Sequence, residues 1–211
     1  MTISHAIWPS AIPSSKRKLK NLGEKNVDLG KSPRFGSKQR KDYDVRQLLA
    51  NWAGVDLTRI NGLGVTAVTK ILTEIGPDLS RFSTVKHFCS WLGLSPGTKI
   101  SGGKVLSSKT KRSVNRVRQV LKMAAMSLAR CDSALGAFYR RLCARMDKPS
   151  ANTAVAHKLA RMVYFMLTRG EEFVDQGQQR YEEQQHARSV AALKRRALAL
   201  GFEVTPVAAP A

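Results

Sequence analysis

Acidic residues are scarce in this chain, whose 211 residues include 15 Asp and Glu against 36 Lys and Arg. A two-metal nuclease needs several carboxylates that converge on Mg²⁺, and an RNase-H-like transposase also needs alternating β-strands to carry them. The acids here are scattered and alternating strands are missing, so neither kind of site is expected. The formal net charge of +21 instead predicts a polyanionic partner, and nucleic acid is the leading one.

Long apolar runs, cysteine motifs and nucleotide-binding glycine patterns are also missing. No stretch approaches the roughly 18 apolar residues of a membrane span, and the sequence contains no P-loop or dinucleotide-binding motif. Cys89, Cys131 and Cys143 form no CxxC pair and have no HxxxH partner, which argues against a zinc site and against a disulfide framework. These absences predict a protein of the reducing cytoplasm with no membrane contact and no metal site.

Apolar residues recur at helical spacing along most of the chain after residue 41. Between Val45 and Trp52 they fall at i, i+3, i+4 and i+7, the pattern of one buried helix face. Because such patterns repeat almost to the C-terminus, the predicted fold class is all-α with about six helices. Ser83 is the predicted N-cap of one of these helices, and Ser150 or Asn152 that of a later one.

Three segments differ in composition and define the predicted organisation. Residues 1–41 lack apolar periodicity and cluster basic residues, which predicts a disordered basic arm that either lies along phosphates or has no role. Residues 42–175 form the predicted helical domain. Residues 176–211 are charged and rich in Gln, which predicts a projecting C-terminal helix and a tail.

Gly62 and Gly64 flank Leu63 immediately before a helical run. A helix, a Gly-apolar-Gly hairpin and a second helix resemble the helix-hairpin-helix motif, in which glycines let backbone N–H groups approach a phosphate. An equally good interpretation is a tight turn between helices that packs in the core. The sequence leaves both open.

The stretch from Lys99 to Lys104 places Ser101 before two glycines, between a pair of lysines. Small neighbours leave the hydroxyl open, and apolar residues on both sides are compatible with a short hairpin. A serine nucleophile is the only enzymatic candidate: Ser101 would attack a DNA phosphodiester, with Ser107 and Ser108 as the next choices, and an ordinary polar turn is the alternative. Hydroxyls and cations alternate here, and both contact phosphates well. The predicted DNA- or phosphate-binding residues are Gly62, Gly64, Lys99, Gly102, Gly103, Lys104, Lys109, Lys111, Arg112 and Arg116.

Several of these segments together resemble a known family. They are Ile60–Gly64, Trp91–Pro96, Ser101–Gly103, Ala134–Arg141 and Ala156–Arg161. This combination resembles the C-terminal transposase domain of the IS110 insertion-sequence family, and its last two segments resemble the IS-eleven-eleven subgroup. The resemblance implies DNA transposition and recombination in a bacterial, nucleoid-associated setting. It also implies that Ser101 is the catalytic serine, that a non-coding RNA guides the reaction, and that the protein forms a homo-oligomer.

One departure from that family limits the expectation. Its members carry an N-terminal RuvC-like domain whose acidic residues bind metal and complete a composite active site. The sequence contains no such half, so a truncated transposase is expected, with no cofactor in this chain and Mg²⁺ in the missing half. A non-catalytic remnant that binds DNA or RNA is the alternative.

Overall fold

The structure, a computed structural model, describes residues 29, 40–107, 109–110, 113–170 and 175–205, with side chains from residue 45 onward. The predicted basic arm of residues 1–41 therefore lies outside the described residues, apart from residue 29 and the start of the first helix. Ser108, Lys111 and Arg112 also lie outside them.

The described residues form a helical fold with a single small hairpin, which confirms the all-α prediction. Seven α-helices are present against about six predicted. They are α1 (Arg40–Ala53), α2 (Val65–Ile75), α3 (Val85–Trp91), α4 (Arg116–Ser127), α5 (Ala134–Cys143), α6 (Lys148–Arg169) and α7 (Gln178–Ala199). Short 3-10 helices span Leu57–Arg59 and Leu128–Arg130, and two strands, β1 (Lys99–Ser101) and β2 (Lys104–Ser107), form the sheet.

The centre of the fold is the contact between α4 and α6. Helix α2 packs on α4, α3 packs on α6, and α5 lies against α6. The apolar stripes of these helices meet in one core, as expected for amphipathic helices that each bury one face. Its fully buried large side chains include Leu63, Ile71, Phe88, Leu121 and Leu159.

Two helix starts differ from the sequence prediction. Thr84, and not Ser83, is the N-cap of α3, because its side chain accepts the backbone N–H of His87. Asp147, and not Ser150 or Asn152, is the N-cap of α6, since its carboxylate accepts the N–H of Ser150. In both cases neighbouring residues could act as caps, and the local backbone decides which one does.

A buried polar cluster fixes α1 to the segment before α2. The Arg46 guanidinium forms an ion pair with Asp56, and its Nε donates to Thr58 Oγ1 at 2.8 Å. Asp56 Oδ1 also accepts the backbone N–H of Thr58 at 3.0 Å. All three side chains are buried, so the charges are paired where water cannot reach them.

Helix α7 lies against α5 through its N-terminal half. The ring of Tyr181 meets that of Phe138 edge to face, and Arg140 donates to Gln178 Oε1 at 2.7 Å. No residue of α7 is buried. Within the described ranges, no helix has the length and hydropathy needed to span a membrane.

The carboxylate of Asp175, just before α7, joins three separate chain segments. Its Oδ2 accepts the side-chain amide of Asn61 at 2.6 Å. Its Oδ1 accepts the backbone N–H groups of Ala134 at 3.3 Å and Gly177 at 3.2 Å. The turn before α2, the start of α5 and the start of α7 are therefore held at one point.

Candidate nucleic-acid interface

The stretch that carries Ser101 is an exposed two-stranded hairpin. Strands β1 and β2 pair antiparallel, with Ser101 opposite Lys104 and Ile100 opposite Val105. Gly102 and Gly103 form the connection with φ values of 54° and 75°. Two consecutive positive φ values are what a type I′ turn requires, and glycine adopts them without strain.

The pairing gives the hairpin two different faces. Side chains directly opposite each other on paired strands point to the same side, and successive residues alternate between sides. Ser101 and Lys104 therefore share one face, while Ile100 and Val105 share the other. Lys99 pairs with Ser107 beyond an irregularity in the register. Ser101 and both lysines are exposed, so the hydroxyl is open to a large partner beside fixed positive charge.

The base of the hairpin is attached to α4 through Arg118. Its Nη2 donates to Thr110 Oγ1 and its Nη1 to the carbonyl of Ser113, both at 3.3 Å. Thr110 in turn bridges to Pro96, and the Gly97 N–H donates to the Lys109 carbonyl at 3.0 Å. Arg118 thereby links the chain that leaves the hairpin to the central helix.

A wide groove with a volume of about 1160 Å³ opens beside this base, between α4 and the start of α6. Its cationic lining is Lys109, Arg118 and Lys122, and hydroxyls of Thr110, Ser150 and Thr153 add donors. One carboxylate, Asp147, also lines it. Cations and hydroxyls in this arrangement suit the oxygens of a phosphodiester backbone.

His157 stands in the wall of the groove, on α6. Burial lowers its pKa, and the positive charge of Arg161 lowers it further. Both effects disfavour the imidazolium, so the side chain is held neutral at pH values where a free histidine begins to gain a proton. A phosphate in the groove would act in the opposite direction.

The turn at Gly62 and Gly64 has a different environment. Gly62 has φ 91°, and a Cβ there would lie 2.9 Å from the carbonyl oxygen of Ala124 and 3.2 Å from the Leu128 side chain. Leu63 is fully buried. Gly64 is the N-cap of α2 without a side-chain cap, and space around it is open. Gly62 is thus explained by close packing on α4.

The predicted site residues fall into separate groups. Ser101, Lys99, Gly102, Gly103 and Lys104 are together on the hairpin, and Lys109 stands at its base. The exposed Arg116, in the first turn of α4, borders a smaller cavity on the α2 side. Gly62 contacts Ala124, which is eight residues after Arg116 and therefore about 12 Å further along the axis of α4 at about 1.5 Å per residue. Sequence reasoning missed three groove residues, Arg118, Lys122 and His157.

The described residues contain no group of three His, Cys, Asp or Glu side chains that could hold a metal ion. The hairpin itself, residues 99–107, includes no carboxylate and no imidazole. Ser101 therefore has nearby cations that can stabilise negative charge, but no general base on the same element.

Comparison with known proteins gives the class of this fold and site. Residues 54–140 match the model of the Transposase IS116/IS110/IS902 family. That segment runs from the end of α1 through the Gly62 turn, the hairpin and α4 into α5. Over these residues the chain is therefore similar to the Transposase IS116/IS110/IS902 family.

Individual relatives agree with this assignment. A 43.6 kDa protein of insertion element IS110 from Streptomyces coelicolor is 32% identical over 90 residues, which cover 42% of this chain and 22% of that protein. A Pseudomonas aeruginosa protein named as a family 20 transposase is 27% identical over 135 residues, covering 62% of this chain and 37% of its own length. The chain thus spans little more than a third of these relatives at most. No solved structure gives a significant match.

Proposed function

We propose that this chain is the DNA-binding, nucleophile-bearing part of an insertion-sequence transposase. One observation carries the proposal: Ser101 stands exposed at the tip of a hairpin, directly opposite Lys104, within a segment that matches a transposase family. A hydroxyl next to fixed cations at a projecting tip can reach the phosphodiester of a duplex. A buried serine could not.

The proposed chemistry is two successive phosphoryl transfers. The Oγ of Ser101 attacks the phosphorus, loses its proton to a base and expels one strand oxygen, which gains a proton. The product is a phosphoseryl linkage. A hydroxyl of a second strand then attacks the same phosphorus and releases the serine, so that the number of phosphodiester bonds is unchanged. Lys99 and Lys104 stabilise the charge that develops on the non-bridging oxygens.

In the proposed scheme the base lies outside the hairpin and the metal lies outside this chain. Because residues 99–107 contain neither carboxylate nor imidazole, the proton of Ser101 must be taken by a group from another element or another polypeptide. An acidic, Mg²⁺-binding RuvC-like half would supply such groups. Guidance by a non-coding RNA and assembly into a homo-oligomer belong to this proposed complete enzyme.

A second candidate function, nucleic-acid binding without catalysis, is favoured by the lack of a general base on the hairpin. A chain with a basic groove and no general base near its serine suits a module that grips DNA or RNA without chemistry. In that case Lys109, Lys122 and the hairpin lysines carry all of the affinity, and Ser101 is only a turn residue.

The test is formation of a covalent adduct between the chain and element-end DNA. The chain is incubated with that DNA, the candidate guide RNA and Mg²⁺, with and without the RuvC-like half of a relative, and resolved on a denaturing gel. We expect an adduct only with the added half, and its loss in Ser101→Ala. Ser107→Ala is the matched control, since Ser107 is on the same hairpin but at its base.

Other outcomes decide against the catalytic role. An adduct that survives Ser101→Ala moves the nucleophile to Ser107 or Ser108. DNA binding with no adduct, in a trial where an intact relative reacts, supports the binding module.

A further inference from the structure

The face of the hairpin opposite Ser101 is apolar and uncovered. Ile100 and Val105 form a cross-strand pair there and are 65% and 61% exposed. Leu106, the extra residue at the register irregularity of β2, is 68% exposed. Three large aliphatic side chains thus stand in solvent within one short hairpin.

This exposure is not explained by folding. A two-stranded hairpin is at most marginally stable in water unless one face packs on something, and fully burying a Val, Leu or Ile side chain stabilises by about 1.5–3 kcal/mol. Strand β1 and strand β2 contact each other, and the anchoring through Arg118 and Thr110 is at the base. The apolar pair therefore contributes little to the fold as it stands.

We infer that the hairpin enters the major groove of duplex DNA, with Ile100 and Val105 toward the base edges and the long side chains of Lys99 and Lys104 reaching past the edges of the ribbon to the backbone. The inference rests on the proposed function and adds how the duplex is held. The major groove is about 12 Å wide and admits a two-stranded ribbon, and the methyl group of thymine offers an apolar contact there. Phosphates line the rims of the groove, where the long lysine side chains can reach them round the edges of the ribbon.

Charge selects DNA over a protein as the occupant. The hairpin carries Lys99 and Lys104, and Lys109 stands at its base. Residues 99–107 contain no acidic residue, so the net positive charge suits a polyanion. A protein interface of ordinary stability buries about 800 Å² on each partner, and three aliphatic side chains are far short of that. A ribbon with one apolar face and long cationic side chains matches a groove that has base edges on its floor and phosphates along its rims.

The test replaces the apolar pair by a polar pair that is also branched at Cβ. Threonine keeps the branched shape and strand propensity, so Ile100→Thr with Val105→Thr removes apolar contact with little change to the hairpin. Affinity for a mixed-sequence duplex is measured by fluorescence anisotropy over a range of salt concentrations, in the full chain. We expect several-fold weaker binding with an unchanged dependence on salt, because the phosphate contacts remain.

A change on the DNA side sharpens the result. A duplex in which uracil replaces every thymine lacks the major-groove methyl groups. The wild-type chain should bind this duplex more weakly than the thymine duplex, and the threonine pair variant should bind both equally. Equal loss in both proteins would overturn the assignment of these side chains to the groove.

Two further variants separate this inference from the proposed function. Leu193→Thr with Leu198→Thr, at exposed positions of α7, should leave DNA affinity unchanged. Lys104→Gln should reduce the salt dependence of binding by about one phosphate contact.

If Lys104→Gln has this effect and the threonine pair variant binds DNA normally, the proposed contact of Ile100 and Val105 with the major groove is wrong, while the proposed DNA binding stands. If the threonine pair instead changes the sedimentation of the protein, the apolar face is a contact between copies.

Discussion

The chain contains two glycine-bearing turns that look alike in sequence and differ in structure. At the first, Gly62 is packed against Ala124 of α4 and Leu128 of the 3-10 helix that follows, and an added Cβ would lie 2.9 Å from a carbonyl oxygen. At the second, Gly102 and Gly103 also have positive φ, but no atom lies within 4 Å of where a Cβ would stand. One turn fastens two helices together, and the other presents residues to solvent.

The difference shows that a glycine pair near basic residues does not by itself identify a phosphate site. Gly62 is required by packing, whichever ligand the protein binds. Gly102 and Gly103 are required only by the backbone of the turn, so they leave Ser101 and Lys104 free for chemistry. A substitution that supplies a side chain but tolerates positive φ can separate these two reasons.

The largest loss of stability is expected when the buried ion pair between Arg46 and Asp56, which fixes the segment before the Gly62 turn to α1, is broken. Asp56→Asn removes the carboxylate charge that pairs with the buried Arg46 guanidinium, and breaking a buried pair in this way costs about 3–5 kcal/mol. Chemical denaturation should show the free energy of unfolding reduced by an amount of this order. Glu183→Gln, at an exposed carboxylate of α7, is the control and should leave it nearly unchanged. Equal effects of the two would mean that the buried pair does not hold the first turn.

An intermediate effect is expected from asparagine at each turn, since asparagine tolerates positive φ better than other residues with a Cβ. Gly62→Asn forces its Cβ against the Ala124 carbonyl and should destabilise by about 2 kcal/mol or more. Gly102→Asn places a residue that type I′ turns prefer into open space and should change stability by less than about 0.5 kcal/mol. Denaturant titration of both variants measures the contrast. A destabilised Gly102→Asn protein would show that the hairpin touches more than itself.

The smallest expected effect on stability is the pH dependence contributed by His157, in the groove at the hairpin base. The pKa of His157 is lowered in the folded protein, so its stabilising contribution is complete above the unfolded pKa of about 6.5. It is lost as pH falls through 6.5 toward the folded value, because the unfolded chain then binds the extra proton. In His157→Gln the difference in unfolding free energy between pH 7.5 and pH 5.5 should be smaller than in wild type.

Bound DNA should reverse the pH effect in this groove. A phosphate beside His157 favours the imidazolium, so affinity should rise on acidification in wild type and rise less in His157→Gln. Identical pH profiles of DNA affinity in the two proteins would place the phosphate path away from α6.

The sequence was informative where the deciding contacts are local. Gly102–Gly103 between apolar residues is compatible with a short hairpin, and helical periodicity predicts the all-α fold. The groove was not predictable, because Lys109, Lys122 and His157 are far apart in the chain and meet only when α4 packs on α6. Core packing was one of the two interpretations of the Gly62 turn, but the sequence could not decide between them, since the contacting Ala124 and Leu128 follow Gly62 by some sixty residues. The roles of the individual site residues stay predictions.

The carboxylate of Asp175 has a consequence for how the molecule opens. It is 114 residues from Asn61 and also holds the first N–H of α5, so three distant segments share one acceptor. If the Asp175 carboxylate moved away, all three hydrogen bonds would break together. The three segments therefore form one cooperative unit of local unfolding. Amide hydrogen exchange at Ala134 and Gly177 should therefore report the same opening event. The turn before α2 would complete its hydrogen bonds late in folding, because the contact closes so long a loop.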